Sequence, residues 1–278
     1  MAGRVQGKVA LITGAARGQG RSHAVRLAEE GADIIAIDIC RPMDTLQYDL
    51  ATPDDMAETV KLVEELGRRI VPLEIDVRDF AALKAGVDDA VAVLGRLDIV
   101  AVNHGVFSSA RLEDLDEKAW HESIDVNLTG AWLTAKATVP HLRAAGGGAM
   151  VITSSVAGLR GAQNAGAYVA GKHGVVGLMR SLALELAADH IRVNTVHPAM
   201  VDTPILQNAA MYELWAPDLA PEDRTREALA ERFALSHALP IPWLETSDLS
   251  NALLFLVSDE GRYVTGVSLP IDAGCLLK

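Results

Sequence analysis

"KVALITGAARGQG", residues 8–20, passes from an apolar run into a cluster of glycines. "KVALIT" (8–13) has the length of one strand and is apolar almost throughout, so it predicts a strand buried on both faces. "TGAARGQG" (13–20) then opens a segment of helical period that runs to about Gly31. A strand, a glycine turn and a helix N-terminus bring free N–H groups and a positive dipole end to one spot, which suits a pyrophosphate. Gly14 permits the tight turn, and Gly18 and Gly20 let the backbone come close, with Arg17 and Gln19 among them. The next apolar run, "DIIAI" (33–37), ends at Asp38. An acidic residue there can accept hydrogen bonds from both hydroxyls of an adenosine ribose and repels a 2′-phosphate, which favours NAD over NADP. Arg17 and Arg21 pull the other way, as cations that attract phosphate.

The alternation continues along the chain. "IVPLEI" (70–75), "LDIVAV" (97–102), "AMVIT" (149–153), "IRVNTV" (191–196) and "GVSLPI" (266–271) are further strands, separated by segments of helical period such as "DDMAETVKLVEELG" and "FAALKAGVDDAVAVLG". Apolar strands alternating with helices predict an α/β fold, a Rossmann-type doubly wound parallel sheet of about seven strands with helices on both faces. No linker or repeat divides residues 1–278, so one dinucleotide-binding domain is expected. Two stretches stand outside the alternation, 38–55 and 198–245.

Composition narrows the classes. Half of the 278 residues are hydrophobic, and 25 basic against 37 acidic residues give a formal charge of −12. No basic block exists to displace counterions, so no nucleic-acid partner is expected. Cys40 and Cys275 have neither metal-site spacing nor the number a disulfide framework needs, so no metal is expected and a reducing cytoplasm is. No run approaches the ~20 apolar residues of a membrane span, and the first residues lack a signal-peptide core.

"YVAGK" places Tyr168 and Lys172 on one helix face. A free phenol, with a pKa of about 10, is a poor base at neutral pH, and a nearby ammonium favours its ionised form. Such a pair can take the proton from an alcohol as hydride leaves the carbon. A serine just past "AMVIT", at the carboxyl edge of the sheet, could hold the substrate oxygen; Ser154 and Ser155 both stand there, and strand alternation points them to opposite sides.

"TGAARGQG", "NHG" (103–105), Asn127 in "DVNLTG", Ser155 and "YVAGK" occur in the order of the short-chain dehydrogenase/reductase family, which this chain resembles over essentially its whole length. The resemblance implies Tyr168 as the acid/base, Ser155 as its partner on the substrate oxygen (the 13-residue spacing favours it over Ser154), and Lys172 as a ligand of the nicotinamide ribose that lowers the tyrosine pKa. It implies that Asn127 holds a helix kink and a water of the proton relay. Asp76 and Val77 would contact the adenine, with Ile39 beside Asp38, and Asn103 and Gly105 would floor the cofactor site. Pro198, Val201 and Thr203 would meet the nicotinamide end. It further implies a homotetramer built on the helices that carry Asn127 and Tyr168. Two departures stand out: His104 replaces the usual alanine of Asn-Ala-Gly, and Ala199 replaces the glycine after Pro198.

"GQGRSHA", "DIC" after Asp38 and the inserted "LATPDD" are similar to the mycofactocin-coupled, carveol dehydrogenase-like subfamily. That resemblance implies an alcohol dehydrogenase whose NAD stays bound and is reoxidised by an external carrier. A ketoreductase using freely exchanging NADPH and a non-catalytic nucleotide sensor are the competing readings. Asp38 opposes the first, and retention of Tyr168 and Lys172 opposes the second. A serine hydrolase is disfavoured because Ser155 lacks a G-x-S-x-G turn. The insertion at 38–55 is expected to form a lid over the adenosine half of NAD. The stretch 198–245 is expected to be a substrate-binding loop, with Met200, Leu206, Met211, Trp215, Phe233 and Trp243 facing a hydrophobic alcohol.

Overall fold

In the computed structural model, which describes residues 3–278, every expected apolar run is a strand of one sheet. The strands are β1 (Val9–Thr13), β2 (Asp33–Asp38), β3 (Ile70–Glu74), β4 (Ile99–Val102), β5 (Gly148–Thr153), β6 (Ile191–Pro198) and β7 (Ser268–Ile271). All pair in parallel, in the order β3-β2-β1-β4-β5-β6-β7. The helices are α1 (Gly18–Glu29), α2 (Pro53–Glu65), α3 (Phe80–Leu94), α4 (Glu117–Ile124), α5 (Gly130–Ala144), α6 (Gly166–Glu185), α7 (Ala209–Trp215), α8 (Arg226–Ala234) and α9 (Thr246–Val257).

The period of two along each strand feeds two separate cores. Val9 and Leu11 of β1, Ile35 and Ile37 of β2, and Met150 and Ile152 of β5 enter the core covered by α3, α5 and α6. Their neighbours Ala10, Ile12, Ile34, Ala36, Ala149 and Val151 enter the core covered by α1, α2 and α9. The strands are apolar throughout because both faces are buried, each large aliphatic side chain contributing about 1.5–3 kcal/mol. The order of the sheet reverses at β1 and β4, so the crevice for a ligand opens above their carboxyl ends.

Helix boundaries set the two irregular stretches. α2 starts with a capping box, in which the Thr52 hydroxyl accepts the Asp55 N–H and the Asp55 carboxylate accepts the Thr52 N–H, with Pro53 at the first helical position. The insertion therefore ends at Thr52. It leaves β2 through Cys40, whose φ of +48° turns the chain sharply. Residues 198–245, expected as a substrate-binding loop, begin at the last residue of β6 and contain α7 and α8. These close a small core of their own around Met200, Leu206, Met211, Ala216, Leu229 and Phe233. No helix among the described residues is long and apolar enough to cross a membrane.

Candidate active site

A trough of about 910 Å3, counting its open mouth, runs over the carboxyl ends of β1, β2 and β4. Gly14, Arg17, Gly18, Gln19, Asp38, Ile39, Asp76, Val77, Asn103, Gly105 and Thr203 line it. Gly18 has φ +56°, and a Cβ there would lie 3.3 Å from Thr203 Cγ2. A Cβ on Gly105 would lie 2.9 Å from Asn127 Oδ1 and 3.2 Å from Lys172 Nζ. Gly20 has another role than facing the trough: a Cβ there would stand 1.9 Å from the Gly14 carbonyl, so the glycine lets α1 pack on the turn. Pro198 and Val201 line the neighbouring cavity rather than the trough.

Asp38 ends β2 with its carboxylate in the trough, accepting the Ala16 N–H at 3.0 Å and the Cys40 N–H at 3.5 Å. Burial pushes its pKa up, and those amides oppose the shift. Asp76 is held by the Arg78 guanidinium at 2.6 Å; although burial opposes it, that pairing keeps its pKa below the usual carboxylate range. Arg21 is spent elsewhere. It donates to the Ala16 carbonyl at 2.7 Å, the Thr59 hydroxyl at 3.0 Å and the Asp55 carbonyl at 2.8 Å, which ties α1 to α2. A floor of bare backbone, a terminal carboxylate and the buried, unpartnered amide oxygen of Gln19 together fit a dinucleotide.

The insertion crosses this trough. Ile39, Met43, Tyr48, Leu50 and Ala51 line it from above. The Asp49 carbonyl accepts from the Arg17 guanidinium, the Thr45 hydroxyl donates to the Glu122 carboxylate on α4, and the Tyr48 hydroxyl accepts the Phe107 N–H at 3.0 Å. The stretch thus reaches beyond the adenosine end to the catalytic end.

There Ser155, Tyr168 and Lys172 face one cavity. α6 carries Tyr168 and Lys172, and Ser155 follows β5. The Ser155 hydroxyl accepts the Ala157 N–H at 3.1 Å, whereas the Ser154 hydroxyl donates to the Lys172 carbonyl at 2.9 Å and is structural. The Lys172 ammonium donates to the Thr153 carbonyl at 2.9 Å, and burial pulls its pKa down to about 8. Tyr168 departs from the expectation of a lowered pKa. Burial pushes it up and the Ser155 hydroxyl only partly offsets this, because the ammonium is drawn to Thr153 and lies 5.6 Å from the ring centre. Asn127 sits in a wide helical turn, Asp125–Thr129, that joins α4 to α5. Its amide donates to the Val106 and Ser123 carbonyls, both at 2.9 Å, and locks the kink to the loop after β4.

Three contributors escape a reading of motifs. His197 Nδ1–H donates to the Ser155 carbonyl at 2.8 Å while its Nε2 accepts from Thr195, so the ring props the serine from β6. The β5–β6 register, Thr153 opposite Val196, is the signal that would have found it. The Phe107 ring packs edge-on against Tyr168 at 5.2 Å, and Tyr48 holds Phe107. His104 proves to be a structural filler. Its ring bridges the Thr13 hydroxyl at 2.7 Å and the Val126 carbonyl at 3.1 Å, and burial drives its pKa down to about 3.

The cavity that Ser155 and Tyr168 face, about 1620 Å3 with its open mouth, is walled by Phe107, Met200, Leu206, Met211, Leu214 and Trp215. Phe233 and Trp243, expected among them, lie outside the wall: Phe233 is wholly buried behind it, edge-on to Trp215 at 5.2 Å, and Trp243 stacks under Arg226 at 4.3 Å.

A sequence profile described as short chain dehydrogenase matches residues 8–213. The chain belongs to the short-chain dehydrogenase family. Within that family, it is 54% identical over 277 residues to the (-)-trans-carveol dehydrogenase of Rhodococcus erythropolis, with 99% of each chain covered. It is also similar to the crystal structure of carveol dehydrogenase from Mycobacterium avium in complex with NAD, at 55% identity and a TM-score of 0.97, covering 99% of this chain and 100% of that one. A short chain dehydrogenase from Mycobacterium paratuberculosis bound to NAD superposes with a TM-score of 0.91 at 41% identity, covering 99% and 100% of the two chains.

Proposed function

We propose that this chain oxidises a hydrophobic secondary alcohol to its carbonyl with an NAD that it keeps bound, and that an external carrier such as mycofactocin reoxidises the cofactor in place. It is an NAD-dependent alcohol dehydrogenase of the short-chain family, and in this reading the whole chain, residues 1–278, is one catalytic unit. The alcohol oxygen lies between Ser155 and Tyr168, with its apolar body against Met200, Leu206 and Trp215. Bound NAD supplies the acceptor for hydride and a positive ring, which favours the ionised form of a nearby phenol. Ser155 donates to the alcohol oxygen and orients it. Tyr168 takes the hydroxyl proton, and Lys172 holds the ribose and supports the phenolate. Asp38 accepts from the adenosine ribose and bars a 2′-phosphate.

The observation that carries retention is the insertion, fixed at Arg17, Glu122 and the Phe107 N–H across the length of the trough. Two further elements belong to this reading, the first from the resemblance and the second from the cysteines. α5 and α6 leave Trp132 and Leu184 47% and 83% exposed, which suits a homotetramer built on these helices. The two cysteines are free, which suits the cytoplasm.

Tyr168→Phe keeps the ring and removes the acid/base. Turnover of a true alcohol substrate should fall ~10²–10⁴-fold while NAD stays on the dialysed protein. Near-normal turnover would sink the assignment. Mainly NADP(H) released from denatured wild-type protein, or NAD that washes out and supports fast turnover from solution, would overturn the cofactor reading.

A further inference from the structure

We infer that Tyr48 is a cofactor-binding residue: its hydroxyl, fixed by the Phe107 N–H, donates to an oxygen on the phosphate–ribose middle of the bound dinucleotide. The inference rests on the reading of the trough as an NAD site. Of the insertion's side chains that line the trough, Ile39, Met43, Leu50 and Ala51 are apolar and cover without bonding. Tyr48 is the one that brings a polar hydrogen. The Phe107 N–H, at 3.0 Å, takes one lone pair of the phenol oxygen and so fixes where the hydroxyl sits. That hydroxyl donates to no protein acceptor among the described residues, and the side chain is part-buried between the trough and the pocket beside it. Burial pushes its pKa up to about 12, so across neutral pH it is a donor and never a base. A donor fixed in place and left without a protein acceptor is free to bond a ligand oxygen in the trough.

The position selects the ligand atom. Tyr48 stands on the wall between the trough and the space bounded by Ser108, Ile205 and Met211. Asp38 and Asp76 mark the adenosine end of the trough, and Asn103 and Gly105, which also line the cavity of Ser155, Tyr168 and Lys172, mark the other end. Between these ends a dinucleotide offers ribose and phosphate oxygens, all of them acceptors.

Tyr48→Phe tests this on the holoenzyme, since it keeps the ring and loses only the hydroxyl. Bound NAD is exchanged against excess isotope-labelled NAD, and the label retained after rapid desalting is read by mass spectrometry. Exchange should be about 10- to 100-fold faster in the variant, the size expected for one hydrogen bond to a charged or strongly polar acceptor. Thr45→Val, which loosens the anchor to Glu122 without touching the trough, should change exchange less. Equal exchange in Tyr48→Phe and wild type overturns the inference, and so does an effect no larger than that of Thr45→Val. If wild-type NAD exchanges within seconds, the retention reading fails. The Tyr48 contact is then read from the NAD Kd, which should rise by the same factor in Tyr48→Phe; an unchanged Kd overturns it. Adenosine, ADP and ADP-ribose as competitors separate the acceptors: a loss present with ADP but not with adenosine assigns a phosphate, one seen only with ADP-ribose assigns the second ribose, and one already present with adenosine overturns the placement at the middle of the dinucleotide.

Discussion

The insertion at 39–52 and the segment at 199–245 both close over the carboxyl edge of the sheet, yet they are built on different principles. The insertion has no core. It is a strap held by polar contacts to Arg17, Glu122 and Phe107 and by the ion pairs Arg41–Asp76 and Asp44–Lys118, and Ile39, Met43, Leu50 and Ala51 face the trough. The longer segment folds on itself around Phe233, and ion pairs such as Arg226–Asp202 and Arg232–Asp218 hold its outside. A strap without a core gains its burial from the ligand beneath it, so its order and the ligand's residence belong together. A segment with its own core keeps its shape with or without substrate, which suits selection by shape.

Three changes would break or sharpen this contrast. The largest effect is expected from replacing residues 40–51 by a tight turn, which removes these anchors and the apolar cover. Cofactor exchange should rise by about 100-fold or more, since each lost hydrogen bond to a charged group accounts for roughly tenfold, while the ranking of alcohols in a substrate panel stays as it was. A changed ranking would show that the strap also selects. Next is Phe233→Ala. This side chain is wholly buried, so truncation should cost about 3–5 kcal/mol of packing within the segment. KM for alcohols should rise and selectivity should blur, with NAD content unaltered; loss of NAD would mean that the two closures are coupled. The smallest effect is expected from Arg226→Gln, which removes the pair with Asp202 and the stack on Trp243. The arginine side chain is 45% exposed, so the melting temperature should reflect less than about 1 kcal/mol, and neither KM nor NAD content should move.

The contrast also explains what was legible in the sequence. The sheet was, because runs such as "VALIT" and "DIIAI" are buried on both faces and stay apolar throughout. The glycine turn and "YVAGK" were, because their geometry is local. Ser155 was separated from Ser154 by family spacing, and the structure gives the physical reason: Ser154 is bonded to the backbone of α6. α7 and α8 were not foreseen, since each is short and its apolar face is completed by the other. The reach of Tyr48 to Phe107, 59 residues away in sequence, leaves no periodic trace. The pKa direction of Tyr168 was missed because it depends on where the ammonium of Lys172 turns, which spacing alone does not fix.

Lys172 has one more consequence. Its ammonium is almost wholly buried, rests on a carbonyl and meets no carboxylate among the described residues. Its pKa falls from 10.5 to about 8, so the unfolded chain holds that proton more tightly than the folded one does. The penalty, about 3 kcal/mol, is fully present below pH 8 and fades as the pH rises towards 10.5. At neutral pH the chain therefore folds against this charge, and a ligand that offers the ammonium an acceptor offsets part of the penalty. Whatever binds only the folded state shifts that balance by mass action, and small shifts in it change how much of a protein survives proteolysis.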